Sequence, residues 1–304
     1  MIKNKEQIQA EWLKKADLLT ETLPFMKRYA NKVIVVKFGG NAMGKKEYVS
    51  SFAEDIVLLQ QVGMLPIVVH GGGPQIGEML SKLKIKTEFI DGLRVTDSET
   101  IDVVEMVLSG VTNKAIVTAI SNAGAKAVGI SGKDGNLITA KRLMKIDENS
   151  DSNVERAIDL GFVGVPKKID TQVIKALINE KMIPVIAPVG MGEDGLTYNI
   201  NADTAAGAIS ASMKASRMIM LTDVSGVLDN NRKLIPELTI NEALALIKDK
   251  VVVGGMIPKL RTCIDAVEGG AEASVIMDGT IPHSLLLELF TEHGVGTIIR
   301  KNHS

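Results

Sequence analysis

Short runs of β-branched and aliphatic residues recur along the chain, each leading into a longer segment whose apolar positions follow helical spacing. Val33–Phe38, Leu65–His70, Ile183–Ile186, Met218–Leu221, Ser274–Met277 and Thr297–Ile299 are too short for spanning helices and read as strands. Their near-continuous apolar character is that of strands covered on both faces, as in a parallel sheet. Between them, 45–61, 98–123, 169–181, 204–212 and 283–290 read as helices, with a stop at Gly63 and a division near Gly110. A helix also follows Pro258. Such alternation predicts an α/β fold, a three-layer αβα sandwich with a mainly parallel central sheet. Segments around 126–130, 136–140 and 161–165 read as short strands, partly antiparallel. Glu148 to Glu155 is polar and expected in a solvated loop.

Ahead of the first strand, Ile2, Ile8, Trp12, Leu13, Ala16, Leu19 and Leu23 fall at helical spacing among Lys, Glu and Gln. Pro24 should break or kink that helix, leaving a short piece with Phe25, Met26 and Tyr29. The plain reading is a helix packed on its own domain. Because the fold looks complete without it, an oligomerisation arm is the sharper one.

Composition narrows the class. Across 304 residues aromatics make up only 3%, so the core is aliphatic and no platform for stacking nucleobases is expected. A formal net charge of −1 removes any global pull toward nucleic acid or an anionic membrane. No apolar run approaches the ~20 residues of a membrane span, and no secretory or transit signal opens the chain. The single cysteine, Cys263, reads as a packed helix residue. A bacterial-type cytoplasmic enzyme is expected.

The candidate chemistry begins at Lys37, which ends the first strand ahead of Gly39-Gly40. An unpaired ammonium is costly inside a buried strand, whereas the carboxyl edge of an open α/β sheet is where ligands bind. The glycines let backbone N–H groups approach an anion with no Cβ in the way. Gly71-Gly72-Gly73-Pro74, after His70, repeats the arrangement with a helix N-terminus added. It is no dinucleotide fingerprint, which would need a glycine where Ile76 stands. Nor is there a P-loop, and Lys133 in Ser131-Gly132-Lys133-Asp134 lacks the preceding spacing. His70 reads as a strand-end residue bonded to backbone.

Arg94 sits in a loop before a helix capped by Thr96 or Asp97. It suits either a surface carboxylate or a bidentate grip on a substrate's. Asn199 and Asn201 alternate along one extended segment and point one way. Asp203 follows in the first turn of a helix, where a dipole role is the plain explanation. Lys259 opens a later helix after Gly254-Gly255. Two glycine turns, two lysines, an arginine and an acid suit polyanion handling, and phosphoryl transfer needs charge stabilisation and in-line positioning. No histidine is placed as a base. A carboxylate acceptor, with a pKa of about 4, would need none. The residues alone point to a nucleotide-dependent kinase, and no Cys/His cluster has zinc spacing.

Six segments in order, Lys37–Gly40, His70–Pro74, Gly92–Thr96, Asn199–Asp203, Leu221–Gly226 and Gly255–Lys259, resemble the motif set of the N-acetylglutamate kinases, within the amino acid kinase family. The resemblance runs from about residue 31 to the C-terminus. It implies the amino acid kinase fold and ATP-dependent phosphorylation of the γ-carboxylate of N-acetyl-L-glutamate in arginine biosynthesis. Mg²⁺ would be carried mainly by ATP phosphates and water, with no protein ligand. By the same resemblance Lys37 and Lys259 neutralise the migrating group, and Asp203 orients both. Gly39, Gly40 and Gly73 offer N–H groups to phosphates. Arg94 and Asn199 hold the substrate α-carboxylate, with Gly72 in the same pocket. Thr222, Asp223, Val224, Ser225, Gly226, Val227, Gly255 and Met256 border the nucleotide. The chain would then divide into an arm at 1–30, a substrate lobe at 31–210 and a nucleotide lobe with an effector segment at 211–304.

His283–Phe290 and His293-Gly294-Val295-Gly296-Thr297 resemble the tail of the arginine-inhibited branch, where a kinked N-terminal helix interlaces dimers into a hexameric ring. On that likeness Glu288 meets the positive groups of arginine, while His293, the backbone at Gly294 to Gly296 and Lys214 meet its other parts. A dimer or hexamer is implied. Aspartokinases and glutamate 5-kinases usually carry further C-terminal domains, for which this length leaves no room. An N-acetylaminoadipate kinase, one methylene longer in substrate, stays open. So does a non-catalytic arginine sensor, although both lysines and Asp203 speak against it.

Overall fold

The computed structural model describes residues 5–146 and 157–302. The strands are β1 (Val33–Phe38), β2 (Leu65–His70), β3 (Phe89–Ile90), β4 (Leu93–Arg94), β5 (Ala127–Ser131), β6 (Ile138–Ile146), β7 (Ala157–Ile169), β8 (Ile183–Ala187), β9 (Val189–Gly192), β10 (Thr197–Ile200), β11 (Arg217–Thr222), β12 (Glu237–Thr239), β13 (Ala273–Asp278) and β14 (Thr297–Arg300). The α-helices are α1 (Lys5–Tyr29), α2 (Lys46–Gln61), α3 (Gly73–Lys82), α4 (Ser98–Glu105), α5 (Asn113–Asn122), α6 (Gln172–Asn179), α7 (Ala202–Met213), α8 (Ile240–Lys248), α9 (Met256–Glu268) and α10 (Ser284–Leu289).

Among the described residues an eight-stranded sheet runs in the order β12-β14-β13-β11-β1-β2-β8-β5. Its neighbours are parallel except for β13 with β14. The expected mainly parallel, helix-covered sheet is therefore present, with β1 near its middle. Side chains alternate across a strand, and the two apolar layers obey this. Val35, Ile67, Val69, Met218 and Met220 pack toward α7 and α9. Ile34, Val36, Phe38, Val68, Ile219 and Leu221 pack toward α2, α5 and α10. By the same period Lys37 faces α7 and α9, whereas His70 faces α5. That parity decides which of these two residues can reach the site.

β6, β7, β9 and β10 close a separate small barrel, in which the segments expected as short strands around 136–140 and 161–165 lie in the longer β6 and β7, paired antiparallel. β5 belongs instead to the main sheet, parallel to β8. The β3–β4 hairpin turns through Asp91 (φ 48) and Gly92 (φ 78), both left-handed as a type I′ turn requires. β12 and α8 were not foreseen. They are joined at Thr239, whose hydroxyl and Glu242 form a capping box. The polar stretch from Glu148 to Glu155 lies outside the described residues.

α1 is not broken at Pro24, because Phe25, Met26 and Tyr29 pack onto the core and hold the last turn in place despite the missing N–H. One helical expectation needs correction. Gly110 does not break 98–122 into two helices. The chain passes through a π-helix, Met106–Thr112, between α4 and α5. This whole path is long and apolar enough to cross a membrane by composition. In the fold Val104, Leu108, Ile116 and Ile120 are buried against the body of the protein.

Candidate active site

Three parallel strands deliver Lys37, the glycine turn after β2 and Thr222 to one edge of the sheet. Lys37 is 7% exposed, and its Nζ stands 2.9 Å from Oδ1 of Asp203. Lys259 Nζ donates to the other oxygen, Oδ2, at 2.8 Å. The acid is placed by Asn201, which caps α7 by accepting from the N–H groups of Asp203 and Thr204. Lys259 comes from the first turns of α9, packed beside α7. Burial pushes the Asp203 carboxyl up, but Lys37 and Lys259 outweigh it and hold it below the usual carboxylate range. With both oxygens ion-paired, Asp203 fixes two ammonium groups, and a carboxyl held below the usual range is a poor base.

Cavities lie on both sides of this triad. One, of about 290 Å³, is lined by Lys37, Gly72, Gly73, Arg94, Asn199 and Lys259. A second, of about 200 Å³, is lined by Lys37, Gly39, Gly40, Thr222, Asp223 and Lys259. The two lysines are common to both. A third cavity beside Lys259 and Gly255 runs toward the barrel through Leu143 and Val165. A fourth and larger one, about 610 Å³, opens at the opposite edge of the sheet between Gly63, Gly124 and Lys181 and holds none of these residues.

On the first side, Arg94 is 7% exposed and its guanidinium lies 4.5 Å over the Phe89 ring. One nitrogen donates to the Gly73 carbonyl at 3.1 Å. Burial lowers its pKa, yet a guanidinium remains charged at neutral pH. Asn199 sits across the cavity and reaches Thr96 Oγ1 at 3.4 Å, while that hydroxyl donates to the Arg94 carbonyl. Gly72 leaves little room for a side chain: a Cβ there would lie 2.5 Å from Leu108 Cδ2, so Leu108 would have to move. Arg94→Lys is expected to raise the KM for a carboxylate substrate about 10–100-fold with kcat little changed, since an ammonium loses the fork and the stack. Steady-state kinetics with the second substrate varied would read this, and an unchanged KM would take Arg94 out of the pocket.

On the second side, Gly39 approaches the turn after β2 so closely that a Cβ would meet Gly71 N at 3.1 Å. Val224 and Ser225 are exposed beyond Thr222. Val227 is not presented to either cavity: it is fully buried, and its N–H donates to Thr297 Oγ1 at 2.8 Å. Gly226 packs against the same threonine. Met256 is half-buried against the core, next to Gly255 at the start of α9.

The tail residues form a separate cluster away from the triad. Glu288 Oε2 accepts from the N–H groups of Val295 and Gly296 at 2.9 and 3.3 Å, and burial pushes its carboxyl up despite these bonds. Gly294 must be glycine, because it is left-handed and a Cβ would strike Glu288. His293 is exposed. The cations facing Glu288 are Arg217 and Arg300. Lys214 closes α7 on the other face of the sheet. Arg217, passed over in the sequence, is 7% exposed and lies over the Tyr29 ring of α1 at 5.2 Å. Like Lys37 it is a cation in an otherwise apolar strand, but it stands at the start of β11.

A model of the amino acid kinase family matches residues 32–278. An acetylglutamate kinase of Gluconobacter oxydans is 59% identical over 98% of this chain and 99% of its own length. One from Rhodospirillum centenum is 57% identical over 95% of each. Among solved structures, N-acetylglutamate synthase from Neisseria gonorrhoeae, complexed with coenzyme A and N-acetyl-glutamate, superposes with a TM-score of 0.82 at 24% identity. That match covers 95% of this chain and 64% of the synthase, a likeness of fold.

Proposed function

The chain belongs to the amino acid kinase family, and from that premise we propose that it transfers the γ-phosphoryl group of ATP to the γ-carboxylate of N-acetyl-L-glutamate, as a step of arginine biosynthesis. The observation that carries this reading is the position of Lys37 and Lys259, both tied to one buried carboxylate and both facing two cavities. Charge in a phosphoryl transfer spreads over the equatorial oxygens of the migrating group. Two fixed ammonium groups between donor and acceptor stabilise that charge without reorganising. The acceptor side offers a guanidinium for the α-carboxylate and glycine N–H groups for the reacting one. The donor side offers the Gly39-Gly40 turn and Thr222. Because the acceptor is already ionised, no base is required. Asp203 has both oxygens committed to lysines, so Mg²⁺ would ride on the nucleotide phosphates.

α1 leaves Trp12, Leu13, Leu19 and Leu23 exposed, with Trp12 at 65%. An apolar stripe of this size on a helix is a contact surface, and its natural partner in this reading is α1 of another copy. Arginine would bind at the Glu288 cluster, where Tyr29 and Arg217 join that helix to the tail, and lower activity from there. Residence in the cytoplasm follows from the reaction. Removal of residues 1–20 is expected to reduce the oligomer to a smaller active form and to blunt inhibition by arginine. Light scattering and a coupled ATPase assay with and without arginine read both. A truncated protein of unchanged mass and unchanged inhibition would remove α1 from either role.

A further inference from the structure

His70 immediately precedes the glycine turn, yet strand parity turns it away from Lys37 and into the layer between the sheet and α5. It is fully buried. Nδ1 lies 2.8 Å from the Gly71 carbonyl oxygen, and Nε2 lies 3.1 Å from Asn113 Nδ2. A carbonyl can only accept and an amide nitrogen can only donate. Those two partners therefore fix one tautomer, with the proton on Nδ1 and Nε2 bare.

The orientation of the Asn113 amide is fixed in turn. Lys114 Nζ donates to Asn113 Oδ1 at 3.1 Å and to the Gly129 carbonyl at 2.9 Å. Asn113 Nδ2 also donates to the Val185 carbonyl at 2.9 Å. β5 passes so close that a Cβ at Gly129 would lie 1.8 Å from Asn113 Oδ1. A glycine is thus required in the middle of a strand, where it otherwise weakens pairing, so that Asn113 can stand where it does. Burial keeps the imidazole neutral, with its pKa down to about 4.

The outcome falls on one peptide plane. The Gly71 N–H is committed to the Phe38 carbonyl at 2.8 Å, and the Gly71 C=O is held by His70. In a trans peptide the C=O and the following N–H point to opposite edges. With the carbonyl turned inward to His70, the Gly72 N–H is turned outward, on the side where Gly72 lines the cavity beside Lys37 and Lys259. We propose that Lys114, Asn113 and His70 are positioning residues, a hydrogen-bonded relay that aims the Gly72 N–H at the reacting carboxylate. The relay rests on the kinase reading above. It assigns a task to three side chains that never touch a substrate.

The test uses the full-length protein and compares two substitutions of similar lost bulk. His70→Asn keeps a donor where Nδ1 was, and His70→Leu keeps none. His70→Asn is expected to retain kcat within about threefold, whereas His70→Leu lowers it about 10–100-fold with both KM values nearly unchanged. Equal losses in the two variants, tracking their melting temperatures, would make His70 a packing residue only and overturn the relay. Should His70→Leu not fold, Lys114 on the surface carries the same comparison. Lys114→Met is then expected to lower kcat and Lys114→Arg to restore it, and identical rates would overturn the proposal. Imidazole ¹⁵N shifts of the wild type give a reading independent of turnover. Nδ1–H with bare Nε2 from pH 6 to 8 supports the relay, and Nε2–H contradicts it. No turnover of N-acetyl-L-glutamate by the wild type would sink the kinase reading alone.

Discussion

Lys259→Ala is expected to lower kcat by about 10²–10³-fold while the KM for each substrate moves little. The Lys259 ammonium is held 2.8 Å from Asp203 and faces both cavities. It therefore meets the charge that builds as the phosphoryl group leaves one oxygen for another. An interaction stronger in the transition state than in either ground state appears in kcat, not in KM. Lys259→Arg is not a conservative control, because a planar fork is longer and cannot reproduce a compact ammonium against a single carboxylate oxygen. A kcat near wild type in Lys259→Ala would remove the charge-neutralising role.

Asp203→Asn is expected to cost more than either lysine, and in two quantities at once. Its carboxylate compensates Lys37, which is 7% exposed, as well as Lys259. Without it two ammonium groups face each other across a neutral amide. Removing one partner of a buried ion pair leaves an uncompensated charge, typically about 3–5 kcal/mol. A large fall in denaturation midpoint together with a kcat loss of about 10³-fold is expected, since both lysines would leave their positions. The folded-state pKa of Asp203 lies below its unfolded value. Its contribution to stability is then present above the unfolded pKa, about 4, and is lost as pH falls through the folded one. Denaturant titrations at pH 7 and pH 3 should show the gap between wild type and Asp203→Asn narrowing in acid. A constant gap would deny the carboxylate its ionised role.

How much of this was legible beforehand follows from what each residue must do locally. Val33–Phe38 was readable because an apolar strand tolerates a lysine only at its ligand edge. The hairpin at Phe89–Arg94 was not, because its strands are only two residues each and carry no periodicity. The π-helix at Met106–Thr112 was read as a break at Gly110, since propensity sees a glycine but not the packing of Leu108 against Gly72. Asp203 could be placed on a helix terminus from sequence, but its service to two lysines 166 and 56 residues away needed the fold. The same holds for Asn113 and Gly129, which mean little apart and form one constraint together. Arg217 is, like Lys37, a cation in an otherwise apolar strand and was overlooked because it begins its strand instead of ending it.

The most direct measurement mixes the full-length protein, ATP, Mg²⁺ and hydroxylamine with N-acetyl-L-glutamate, N-acetyl-L-aminoadipate or no acceptor, and quantifies ADP and hydroxamate in each. An acyl phosphate formed on a carboxylate is captured by hydroxylamine, whereas simple hydrolysis of ATP leaves nothing to capture. With N-acetyl-L-glutamate, ADP and hydroxamate should rise in step. With the longer acid they should rise more slowly, by about 10–200-fold for one methylene. ADP without hydroxamate, or hydroxamate formed faster from the longer acid, would contradict phosphorylation of the N-acetyl-L-glutamate carboxylate.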